Sequence, residues 1–212
     1  MMMKSKGAVI IAVCLFFAAI LVSGCTQAGN SESQTDALVN SLFSEDTDKI
    51  KESVEKLIET GEPAVEPLTK VFEKGDREAS MWAAVALCKI GEPAIEPVVK
   101  LLRNSNEEVR EWAGNTLACI GKDAVPALIE EVKTGTPNSK EAASITIIKI
   151  GEPALPFLGV ELNAGDAKSA PEIDAIIRSI YATKGLLERL DTENTPAKNE
   201  SKATGDNESG TA

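Results

Sequence analysis

The chain has 212 residues, with 22 Lys+Arg against 33 Asp+Glu and no histidine. The formal net charge of −11 argues against a nucleic-acid ligand, whose phosphates demand a basic footprint, and against adsorption to an anionic membrane surface. Without histidine, zinc sites, Ser-His and Cys-His nucleophiles and imidazole acid–base chemistry are excluded, whereas carboxylate-only chemistry is not.

Residues 1–24 read as a targeting segment. Lys4 and Lys6 precede an unbroken apolar run of 15 residues from Ala8 to Val22. That length suits a signal-peptide core and is short for a spanning helix, which needs ~20 residues. The run ends in Leu21-Val22-Ser23-Gly24-Cys25, which resembles the lipobox of prokaryotic lipoproteins. The resemblance implies lipidation of the Cys25 thiol, cleavage before it, and an envelope location outside the cytoplasm. Loss of Lys4 and Lys6, with no acid removed, would take the net charge from −11 to −13. The small, polar residues that follow give 25–33 the character of a flexible tether.

Residues 34–190 carry the fold. Gly61, Gly91, Gly121 and Gly151 stand 30 residues apart and open the phrases GEPAVEPL, GEPAIEPV, GKDAVPAL and GEPALPFL. A fixed period in this range is the signature of a solenoid. In the 91–120 copy, a left-handed Gly91 is expected to end one helix, Pro93 to open the next, and Pro97 to lie still in its first turn. Ile95, Val98, Val99 and Leu102 then make one apolar stripe, and Val109, Ala113, Leu117 and Ile120 a second on the following helix. The register recurs in the other copies, through Phe72 and Leu162 on first helices and Ala83 and Ala143 on second helices. Repeats are placed at 34–60, 61–90, 91–120, 121–150 and 151–190, the first degenerate with helices at 35–44 and 48–59. Leu186, Leu187 and Leu190 are read as the closing cap, and 191–212 as a disordered acidic tail.

These pairs resemble HEAT-like repeats, specifically the short kind named after phycobilisome lyases. The likeness rests on Ile-Gly-Glu-Pro-Ala at 90–94 and 150–154, with its variants at 60–64 and 120–124, before the first helices, and on the central Ala83, Ala113 and Ala143. It implies an all-α fold, a right-handed superhelix of about five helix pairs. It also brings in enzymatic relatives: bilin lyases, deoxyhypusine hydroxylase and DNA glycosylases. The hydroxylase's His-Glu iron site has no histidine here to carry it, the glycosylase's basic groove is contradicted by charge, and no residue maps to a bilin lyase.

Three further features have two readings each. Trp82 and Trp112 share one repeat position, 21 residues after their glycines, and either pack between repeats or form an aromatic patch for a partner. Arg110 and Lys140 share another, and with Glu111 and Glu141 make either a solvated face or a weak binding stripe. Cys88 and Cys119 read either as a disulfide or, preferably, as two small hydrophobes inside packed helices. Asn199 and Asn207 head glycosylation sequons. Glu62, Glu92, Asp123 and Glu152 suit helix N-termini without any function. The expectation is a non-enzymatic, lipid-anchored scaffold that binds a protein, with no cofactor, metal or nucleic acid. The alternative is a lyase- or hydroxylase-type enzyme.

Overall fold

The computed structural model describes the backbone of residues 28–164 and 167–194, and the side chains of 34–164 and 167–185. Cys25, the segment read as a signal peptide, Asn199 and Asn207, and the side chains of Leu186, Leu187 and Leu190, lie outside that range. The described residues form helices joined by turns, with no strand. The order is α1 Ala28–Asn40, α2 Thr47–Thr60, α3 Glu62–Thr69, α4 Arg77–Ile90, α5 Glu92–Leu101, α6 Glu107–Ile120, α7 Val125–Thr134, α8 Pro137–Ile150, α9 Leu155–Asn163 and α10 Ala170–Asn194. Consecutive helices make five pairs stacked in a row, the all-α solenoid expected from the period. Neighbouring second helices (α2, α4, α6, α8) touch along more of their length than neighbouring first helices do, so the second helices form the tighter, inner row.

Each repeat turns on one glycine. Gly91 has φ 77° and ψ −127°, and Gly61, Gly121 and Gly151 are alike. The positive φ is as expected, but ψ lies far from the left-handed helical basin, in territory open to glycine alone. The reason is that one residue serves both helices. The Gly91 N–H donates to the Leu87 carbonyl at 3.0 Å, completing α4, and its own carbonyl accepts from Ala94 N–H at 2.9 Å, starting α5. Gly75, by contrast, is a true left-handed cap (φ 72°, ψ 10°).

A second ladder with the same period runs through Asp46, Asp76, Asn106 and Thr136. Each side chain caps a second helix, accepting backbone N–H from Asp48 and Lys49, Ala79, Glu108 and Ser139 respectively. Such caps satisfy donors that a helix start leaves open.

The apolar stripes form one continuous core, with Leu57, Leu87, Leu117 and Ile147 all fully buried along the second helices. Ala83, Ala113 and Ala143 are fully buried at the centres of the contacts. Four expectations need correction. Leu162 is 37% exposed, because no further repeat covers the last pair among the described residues. Pro67 and Pro97 lie inside α3 and α5 rather than in the first turn, where each removes a backbone bond to the residue four earlier. Residues 28–33 of the expected tether are helical, since α1 begins at Ala28, and α10 continues through Asn194 into the expected tail. The fourth concerns the cysteines. Cys88 and Cys119 form a disulfide between α4 and α6, with Cα atoms 5.7 Å apart. Cys88 is half-buried and Cys119 exposed, at the flanks where the two helices face each other, so neither is a core hydrophobe.

Two ion pairs stitch first helices together. Arg103 grips Glu131 with three hydrogen bonds of 2.7–3.0 Å, and Lys133 meets Glu161 at 2.8 Å one repeat later. Glu131 is 3% exposed and stands where earlier repeats have Val71 and Leu101. Burial alone would raise its carboxyl, but hydrogen bonds from Arg103 and Ser139 and the Arg103 charge outweigh it and hold it below the ordinary value. Gly135 is needed alongside: a Cβ there would fall 2.5 Å from the Glu131 carbonyl oxygen and 2.6 Å from Ser139 Oγ.

Candidate binding surface

The outward faces of α4, α6 and α8 make the surface on which most sequence candidates fall. Trp112 stacks on Phe72 of the preceding repeat, ring centroids 6.2 Å apart and planes 16° from parallel. Trp82 is likewise half-buried and packed on the core, with its Nε1 buried and without a hydrogen-bond partner. Trp112 therefore wedges between two repeats, and Trp82 packs on the core. Exposed apolar surface comes instead from their neighbours on α4, Met81 at 43% and Val85 at 39%.

Arg110 and Lys140 do the same job in successive repeats. Arg110 Nη1 donates to the carbonyls of Asn104 and Ser105, both at 2.9 Å. Lys140 Nζ donates to the Lys133 carbonyl at 3.2 Å and lies 3.9 Å from Glu172. Both cations reach back over the turn and cap carbonyls near the end of the first helix, where positive charge is favoured. Neither pairs with the acid that follows it in sequence. Ser80 holds this place in the 61–90 repeat, buried, its Oγ without a partner.

Between α6 and α8 lies a groove of 260 Å³, which neither the period nor the stripes foretold. Ala142 and Ile145 of α8 and Gly114 of α6 line it, with Glu107, Glu111 and Glu141 around them. Thr146 approaches Gly114 so closely that a Cβ there would fall 2.8 Å from Thr146 Oγ1. At the far end Lys149 Nζ donates to Asn115 Oδ1 at 2.9 Å, joining the two helices. The only trace of the groove in the sequence is Ala142 standing where earlier copies have tryptophan. A second, shallower groove of 400 Å³ runs between α7 and α9, where Phe157 and the 73% exposed Val160 lie beside Ile129.

Among the described residues no three acids or cysteines come together as a metal site would require. Glu62 and Glu92 start α3 and α5, where the helix dipole accounts for them, and Glu152 pairs with Lys184. No single helix among the described residues is long and apolar enough to cross a membrane. The bent pair Pro137–Ile150 and Glu152–Asn163 meets that test only jointly, across a 110° break.

A family model of HEAT repeats matches residues 35–118. Those residues run from within α1 to the end of α6, the stretch where helix pairs and capping ladder begin. Among solved structures, the chain is similar to a crystal structure of an engineered protein, at 22% identity over 76% of this chain and 90% of that one, with a TM-score of 0.32. It is also similar to a designed armadillo repeat protein, at 17% identity over 68% of this chain and 99% of that one, with a TM-score of 0.28. No curated protein sequence matches the chain. Residues 35–118 thus carry HEAT-repeat sequence, within an all-helical solenoid that continues the same 30-residue period beyond them.

Proposed function

We propose that this protein is a non-enzymatic scaffold, tethered to a membrane outside the cytoplasm through a lipid on Cys25, that holds a protein partner along its row of second helices. One observation carries the binding reading. The row leaves apolar side chains exposed at Met81, Val85 and Ile145, on faces that the repeat otherwise gives to charged and polar groups. A solenoid cannot turn its inner row away from solvent, so exposed apolar residues there need a partner to cover them. The location reading draws on the lipobox-like Leu21 to Cys25 and on the Cys88–Cys119 disulfide, a bond that persists in oxidising compartments. The Ile-Gly-Glu-Pro-Ala phrase supports the short, phycobilisome-lyase type of HEAT repeat.

The test is quantitative capture from native membranes, comparing wild type with Met81→Glu/Val85→Glu and with Val160→Glu on the first-helix row. A protein that co-purifies with wild type and with Val160→Glu, but is depleted by the α4 variant, supports the reading. Equal recovery with all three, at unchanged helical circular dichroism, removes it.

A further inference from the structure

We infer that the α6–α8 groove seats a basic segment of the partner protein, an aliphatic side chain lying on Ile145 and Ala142 while Lys or Arg heads reach Glu107, Glu111 and Glu141. The inference rests on the scaffold reading and makes its partner specific.

The groove exists because the repeat is broken at one position. Trp82 and Trp112 fill the corresponding place in the two preceding copies, and the third has Ala142. Gly114 on the facing helix also contributes no side chain, and Thr146 already stands too near for one to be added. The result is a hollow whose open side bears Ile145, 46% exposed where α6 has Asn115. An isoleucine left in water beside a hollow is stabilised by any apolar group that enters.

Charge then selects the occupant. None of Glu107, Glu111 and Glu141 is ion-paired within the described residues. Two cations also line the groove, but each is held by the fold, Arg110 by the carbonyls of Asn104 and Ser105 and Lys149 by Asn115, which leaves the three carboxylates in excess. Glu107 sits in the first turn of α6, where the dipole favours it, but Glu111 and Glu141 lie beyond that reach. Glu107 and Glu111 also stand four apart on one helix face, a like-charge spacing that a bound cation would relieve. The carboxylates do not converge as metal ligands do. Their complement is therefore a set of separated positive charges on a chain that also carries apolar groups, which describes a basic amphipathic protein segment.

The probe is a fluorescein-labelled 15-residue amphipathic peptide of Lys and Leu, with a counterpart in which Glu replaces every Lys, titrated by anisotropy against the whole protein. The Lys peptide is expected to bind and the Glu peptide not to. Glu111→Gln/Glu141→Gln should weaken binding by about tenfold, and Ala142→Trp should abolish it, since the tryptophan that the fold accepts at 82 and 112 would fill the hollow. Glu66→Gln/Glu96→Gln on the first-helix row makes the same change in net charge and should leave affinity unaltered. Absent binding, or equal weakening by both double variants, overturns the inference. A native partner still captured by Ala142→Trp overturns the groove while sparing the scaffold. No partner captured by wild type overturns the scaffold itself.

Discussion

Single residues carry opposite kinds of constraint here. At Gly91 there is open space where a Cβ would go, yet φ is 77°, so the constraint is conformational rather than steric. Gly91→Ala should therefore cost about 1–3 kcal/mol, whereas D-alanine introduced by ligation should cost almost nothing, both read from urea midpoints. A steric origin would penalise the two alike. At Glu131 the constraint is electrostatic. Its carboxyl is held below its ordinary value in the fold, so the unfolded chain binds the proton more readily. The pair's contribution is thus fully present above the unfolded carboxyl's value of about 4.3 and is lost as pH falls through the lower folded value. Glu131→Gln should be less stable than wild type at neutral pH, and the gap should close towards pH 3. An urea-midpoint difference that stays constant across that range would refute the assignment.

At the scale of helices, the contacts between repeats join unlike positions, and that decides what could be read from the sequence. Copies related by a near-translation point equivalent side chains in the same direction, not at each other. A bridge between neighbours must run from one flank of a helix to the opposite flank of the next. Cys88 and Cys119, offset by one residue in the period, meet for that reason, and the same offset made them look unrelated. Phe72 with Trp112, Arg103 with Glu131, and Asn115 with Lys149 obey the same rule. The period, the glycine corners and the apolar stripes were legible because each repeats in place. The capping ladder Asp46, Asp76, Asn106, Thr136 was equally periodic, but its varied residue types hid it. The groove was illegible because it is a missing indole, visible only once α6 and α8 are set side by side. The disulfide spans 31 residues of sequence, so removing it should cost roughly 3–4 kcal/mol if the unfolded chain's entropy dominates. Cys88→Ala/Cys119→Ala should melt earlier than oxidised wild type and be insensitive to dithiothreitol. Coincident melting curves for oxidised and reduced wild type would show that packing alone sets the α4–α6 contact.

For the whole molecule, the position of α1 bears on how the proposed lipid anchor would work. The helix begins at Ala28, three residues after Cys25. Three residues span at most about 10 Å, so a lipid on Cys25 would hold the first helix pair against the bilayer surface rather than on a slack tether. Later pairs then stand progressively further off, at about 10 Å per repeat if the row rises from the surface. The α6–α8 groove, in the third and fourth pairs, would face a partner in the space beyond the headgroups. Stability should be indifferent to the anchor, because each pair leans only on its neighbours and the first pair is packed through Val39, Leu42 and Val54, all buried. Cys25→Ala expressed in a native-type host should accordingly keep its melting temperature and its helical signal while leaving the state of a mature lipoprotein. Intact-mass analysis of wild type should show the first 24 residues gone and a lipid added, and the variant should show neither. Wild type recovered from membranes at the unmodified full-length mass would refute the lipid anchor and leave the solenoid and its groove untouched.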